Sequence, residues 1–295
     1  MRAPEGRGFV PYSAGREGLF PSHEGHADLW ICAMTLRVEG RPARFFGLVL
    51  ILSLPFYMLG VTGAALPFAP ALPISAVMAC VPMIAALSLV AWQNGAAAAG
   101  GLFASAFHVR AIPSARWPVI AVTFMPVAFA ATAGIVWLSG APVPRLALLP
   151  VGAVTSAFAL FFLGAVAEEI GWQGYAFPVL AGRYSALNAA LIIGVVWALW
   201  HVIPFALMGR SVTWILWHSL GIVLMRIIIV WLVVNAGQSL LIAVLFHMMS
   251  NSVWGMFPDF APWYDPKVMC LVLLAPVMAI VGLWGPTTLG RFRYG

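Results

Sequence analysis

The chain has 295 residues, of which 63% are hydrophobic and only 8% charged, with a formal net charge of +6 and a mean hydropathy of +0.99. An ordinary soluble domain carries about 25% charged residues, so the composition excludes a soluble globular protein and predicts an all-α, polytopic bundle in a membrane. The positive charge comes from arginines at segment ends, where basic residues orient a membrane protein, and it gives no nucleic-acid footprint.

Residues 1–40 concentrate charge, Gly, Pro and His without the charged, apolar, small-residue order of a cleaved signal peptide, which predicts a polar flexible tail. Met34 opens a short basic lead, with Arg37, Arg41 and Arg44, into the first apolar run. Such runs then recur at 44–62, 74–93, 117–139, 152–181, 186–206, 214–234, 238–256 and 267–285. Each is near the ~20 residues needed for one crossing, so about eight transmembrane helices are expected in one bundle over 41–290. Pro55, Pro67, Pro70 and Pro73 interrupt the first two, although membrane helices tolerate proline. Between the second and third runs, residues 94–116 carry Phe103, Phe107, His108 and Arg110 and read as an interfacial amphipathic helix.

With the N-terminus inside, most arginines fall on the cytoplasmic side, against Arg145, Arg210 and Lys267 outside. The positive-inside rule then predicts that both termini are cytoplasmic, in a cell inner (plasma) membrane. Abundant Ala, Arg and Gly with a single Lys point to a bacterial source. Cys32, Cys80 and Cys270 have no metal spacing and imply no disulfide framework. No repeat of 20–50 residues and no inverted repeat is evident.

From position 40 to 258 there are two carboxylates, and they are adjacent: Glu168 and Glu169. An ionisable group inside a bilayer costs at least ~2.5–3.5 kcal/mol, so each one in a span is a functional-site hypothesis. Within the predicted helices these are Glu168, Glu169, His201, His218, Arg226 and His247. Glu168 lies about 14 residues before the turn at Gly182, and His201 about 15 residues into the returning helix. At 1.5 Å per residue, both sit about 20 Å from the same membrane face. His247, about nine residues into the seventh run, can join them near mid-membrane. Glu169 with Gln173, Trp197 with His201 and His247 with Asn251 each share a helix face at a spacing of four. The adjacent glutamates point about 100° apart, so one can face a cavity while the other contacts a neighbouring helix. Taken alone, His218 reads as a hydrogen-bonding residue between helices, and Trp197 and Trp200 as packing.

Three segments carry a resemblance: Glu168-Glu169-Ile-Gly-Trp-Gln173, Trp197-Ala-Leu-Trp-His201, and His247-Met-Met-Ser-Asn251. In order and spacing they resemble the motifs of the CPBP intramembrane proteases, which include the CAAX prenyl endopeptidases and the bacterial Abi-type proteins. The likeness covers about residues 150–256, and the family's fold also has eight helices. It implies endopeptidase activity on a membrane-associated or lipidated peptide. Glu168 assisted by His201 would activate water, and His247 with Asn251 would stabilise the oxyanion. No cofactor is required in that mechanism. The alternative is zinc held by Glu168, His201 and His247, an acceptable donor set although no HExxH is present.

Gln173 departs from the family pattern, which has arginine there. Glu169 then needs another source of compensation, and Arg226 or His218 is the expected supplier. The departure keeps open a non-catalytic scaffold or immunity-type homologue. A proton-coupled transporter using the same carboxylates and imidazoles is a third reading.

Overall fold

The computed structural model describes residues 41–66, 69–110, 112–141, 151–255 and 264–290, with the backbone alone at 69–72. The predicted tail 1–40, Cys32 and Arg145 lie outside these residues. The helices are α1 (Pro42–Val61), α2 (Val81–Asn94), α3 (Ala96–Ser105), α4 (Arg116–Leu138) and α5 (Val151–Glu169). They continue with α6 (Phe177–Ala181), α7 (Ala186–Leu207), α8 (Val212–Asn235), α9 (Leu240–Gly255) and α10 (Pro266–Trp284). A 3-10 stretch, Ile74–Cys80, leads into α2, and a π-wound stretch, Ile170–Ala176, joins α5 to α6. Every apolar run read from the sequence is helical within a few residues.

Among the described residues, seven helical segments are long and apolar enough to cross a membrane, which makes the chain a multi-pass membrane protein of all-α class. The seventh predicted run is different: α9 has 16 residues, short of the ~20 expected of a span. Before it, Gly237 and Gln238 both take positive φ, at 68° and 61°, and reverse the chain tightly after α8. A small antiparallel ribbon, Ala65–Leu66 with Ala69–Pro73, which the apolar pattern does not signal, sits between α1 and the 3-10 stretch. In the 94–116 segment the helix is α3, and Phe103 within it and Phe107 just after it are exposed.

In lipid, apolar burial does not drive helix association; close packing of small residues and buried hydrogen bonds does. Helix α7 illustrates both. Leu191, Val195, Leu199 and Ile203, spaced by four, are exposed on its outer face, whereas Ala190, Gly194, Trp197 and Ala198 are buried on the inner one. That inner face packs along α8, the helix most enclosed by its neighbours. Gly194 permits the approach: a Cβ there would stand 3.1 Å from the Val223 Cα and 3.3 Å from the Arg226 Cβ.

Pro204 inside α7 cannot donate to the carbonyl of Trp200 four residues earlier. The Tyr57 hydroxyl of α1 donates to that carbonyl at 2.8 Å instead. Trp200 Nε1 in turn donates to the Ser53 hydroxyl at 2.7 Å. A proline defect in one helix thus becomes the fastening point of another. Ser185, Ser211 and Asp265 cap α7, α8 and α10 by accepting from Asn188, Trp214 and Lys267 backbone N–H groups.

Candidate active site

Glu168 and Glu169 end α5, where the helix changes to π winding. Two sequence features act here. Pro178 withholds the N–H that would bond the Gly174 carbonyl, so regular α bonding fails at that turn. Gly171 meets α2 so closely that a Cβ would lie 2.6 Å from the Pro82 oxygen. Single-turn π segments often occur at functional sites. Gln173 is buried, and neither its amide oxygen nor its nitrogen has a partner among the described residues.

Glu169 finds its charge partner on α8. Arg226 donates to both carboxylate oxygens, Nη1 to Oε2 at 2.7 Å and Nη2 to Oε1 at 2.9 Å. Both side chains are fully buried, at 0% exposure. This two-pronged geometry is the strong form of a carboxylate–guanidinium pair. His247 Nδ1 on α9 adds a third bond, to Glu169 Oε1 at 2.8 Å. His218, the other supplier considered for Glu169, instead has its Nδ1 3.1 Å from the Tyr264 hydroxyl.

Trp197 links this buried group to Glu168. Its Nε1–H donates to Glu168 Oε2 at 2.7 Å, and the Arg226 guanidinium lies 4.3 Å from its ring centroid, within cation–π range. Reading Trp197 as packing alone therefore missed a site contact. The signal was available in its spacing of four from His201. That relation also holds in space, since His201 Nδ1 lies 2.8 Å from the Trp197 carbonyl.

Glu168, His201, His247 and Asn251 line one cavity of about 450 Å³, with His218 also in its wall. A backbone carbonyl and a carboxylate can only accept, so Nδ1 of both His201 and His247 must carry a proton. Their Nε2 atoms remain for the cavity. Glu169, Arg226 and Gln173 are not among the lining residues. Two imidazoles with engaged Nδ1 atoms and a nearby carboxylate are donors that suit zinc. Their placement does not match a ligand set, for no three His, Cys, Asp or Glu groups among the described residues converge to hold a cation. Cys80 and Cys270 are free thiols.

The fold and site define a class: a multi-pass helical membrane protein with an acid–imidazole centre within the bundle. Residues 150–253 match the family model described as type II CAAX prenyl endopeptidase, Rce1-like. A similar stretch occurs in CAAX prenyl protease 2 of Methanococcus maripaludis, 27% identical over 100 residues, which are 31% of this chain and 37% of that protein. This segment, which carries all three motifs, is thus similar to type II CAAX prenyl endopeptidases. The chain matches little more than a third of that relative's length.

Proposed function

We propose that the protein is an intramembrane endopeptidase that hydrolyses a peptide bond in a membrane-associated or lipidated peptide. The observation that carries this reading is the single cavity lined by Glu168, His201, His247 and Asn251, with both imidazoles oriented through Nδ1. Trp197 occupies Glu168 Oε2, which leaves Oε1 to act as the base. A water between Oε1 and the His201 Nε2 lone pair gives its proton to Glu168 as its oxygen attacks the scissile carbonyl. The carbonyl oxygen becomes an oxyanion that accepts from the Asn251 amide and His247 Nε2. Glu168 then returns the proton to the leaving amine as the C–N bond breaks.

For Nε2 of His247 to donate as well as Nδ1, that ring must hold both protons, with Glu169 as its counter-ion. Glu168 and Glu169 then balance Arg226 and His247, and a neutral group of four is what a low-dielectric interior favours. Arg226 supplies by a cross-helix contact the positive charge that Gln173 lacks, which supports catalysis over a scaffold role.

Purified Glu168→Ala and His201→Ala variants should keep their helical content and lose cleavage of a fluorogenic hydrophobic peptide; activity in either refutes the assigned mechanism. Dialysis against a chelator should leave the wild-type rate unchanged, whereas a loss restored by zinc would transfer Glu168, His201 and His247 to a metal. The arginine asymmetry supports both termini being cytoplasmic, and the abundance of Ala, Arg and Gly with a single Lys supports a bacterial inner membrane. Reporter fusions at each end test that orientation.

A further inference from the structure

Away from the cavity, three elements meet at the membrane face where α1 begins. Arg44 stands in the first turn of α1, Trp92 and Gln93 in the last turn of α2, and Tyr175 in the π-wound stretch. Phe45 joins the first to the third, its ring centroid 5.1 Å from that of Tyr175. The Arg44 guanidinium lies 6.0 Å from the Trp92 ring centroid, at the limit of cation–π attraction. Trp92 itself is 73% exposed, so its ring borders lipid, as amphipathic rings do at headgroup level.

The polar groups gathered here lack partners among the described residues. Tyr175 is only 2% exposed, and its hydroxyl sits beside the Gln93 amide within electrostatic range of Arg44. It meets no hydrogen-bond geometry, and the buried Gln93 side-chain oxygen is likewise unbonded. Leaving such groups dry and unpaired is costly, so a partner from outside the chain is called for. Arg44 has no ion pair among the described residues. Two residues after Gln93, α3 starts at Gly95 with no side chain capping its first turn, an end that favours an anion. Charge on this face is one-sided: Arg41, Arg44, Arg110 and Arg116 lie at its helix ends. The carboxylates among the described residues are elsewhere, with Glu168 and Glu169 bonded inside the bundle and Asp265 starting α10 at the opposite face. Arg44 is two residues into α1 and Gln93 one residue from the end of α2. At 1.5 Å per residue both fall within the headgroup layer, about 5–8 Å thick on each side of the hydrocarbon.

We propose that Arg44, Gln93 and Tyr175 bind the phosphate headgroup of an anionic phospholipid in the leaflet where α1 begins, with Trp92 against the lipid's glycerol region. Arg44 supplies charge-assisted bonds to the phosphate, and the Tyr175 hydroxyl and Gln93 amide supply neutral ones from the floor of the site. A lipid is favoured over a free anion because the exposed Trp92 ring opens the site towards the bilayer. The site is independent of the endopeptidase reading and would serve a scaffold equally. Tyr175 belongs to the same π-wound stretch that follows Glu169, so a bound headgroup fastens α1 and α2 to the segment that holds the two glutamates.

The experiment counts ligands bound to the full-length protein by native mass spectrometry from detergent micelles, with dioleoyl phosphatidylglycerol, dioleoyl phosphatidylcholine or inorganic phosphate added. Wild type should bind the anionic lipid about 10-fold more tightly than the zwitterionic one, the ratio expected for a hydrogen bond to a charged group, and should melt at a higher temperature in its presence. Arg44→Gln should bring that ratio close to one, whereas Arg110→Gln, which removes the same charge from the same face, should leave it unchanged. Tyr175→Phe keeps the ring against Phe45 and should weaken the anionic lipid several-fold without lowering the lipid-free melting temperature, since the hydroxyl bonds nothing in the chain. Equal binding of the two lipids by wild type overturns the proposal, as does a preference that survives in Arg44→Gln. A preference lost to the same extent in Arg110→Gln would mean diffuse attraction to a basic face and also overturns it. Binding of inorganic phosphate as tight as that of the lipid would make this a site for a free anion and overturn the lipid assignment.

Discussion

Glu168 and Glu169 are consecutive in the chain and inhabit opposite surroundings. Around Glu169, every contact is dry and paired: two bonds from Arg226, one from His247, and no exposed surface. Around Glu168, one oxygen accepts from Trp197 and the carboxylate opens on a cavity walled by apolar side chains. The difference shows how a bilayer can hold two adjacent carboxylates at once. One is matched in charge so completely that it becomes a structural element, and the other keeps bonding capacity for a reactant.

The comparison breaks most directly at Glu168. Glu168→Gln preserves shape and removes the base, so kcat should fall by about 10²–10⁴-fold while the melting temperature stays within a few degrees of wild type. An unfolded variant would mean that Glu168, too, is structural. On the paired side, Arg226→Met leaves Glu169 buried without its cation and should cost about 3–5 kcal/mol of stability. Combining it with Glu169→Gln should restore most of that stability, measured by thermal melting, without restoring activity, because His247 loses the negative charge that serves as its counter-ion.

A smaller effect is expected at the helix contact that brings Arg226 into place. Gly194→Ala puts a methyl group 3.1 Å from the α8 backbone and should cost about 1–3 kcal/mol through overpacking, with activity reduced in parallel. The smallest effect belongs to Gln173, whose buried amide has no partner among the described residues. Gln173→Leu should change stability by less than about 1 kcal/mol, or raise it, because no hydrogen bond is lost and a polar group is relieved of burial. A large loss would place a bound water or a partner on that amide.

Much of the site was legible because its members follow helical spacing. Trp197 with His201 and His247 with Asn251 are one turn apart in sequence and lie on one cavity wall in space. Depth counting also brought Glu168, His201 and His247 to one level, because a helix rises by a constant 1.5 Å per residue. Trp197 as a donor to Glu168, and Tyr264 as the partner of His218, lay beyond local pattern, since each contact joins residues of different helices or loops.

The sequence by itself determined that this is a multi-pass helical membrane protein, where its helices lie, and which few ionisable residues deserve a role. Bilayer thickness sets the length of an apolar run, and the cost of intramembrane charge makes each exception conspicuous. Only the tertiary structure decided that Arg226 of α8 serves Glu169 and that the adjacent Glu168 faces the cavity. Those assignments depend on helix neighbours and on angles within hydrogen-bond range, and a guanidinium selects its carboxylate by geometry that sequence spacing does not carry.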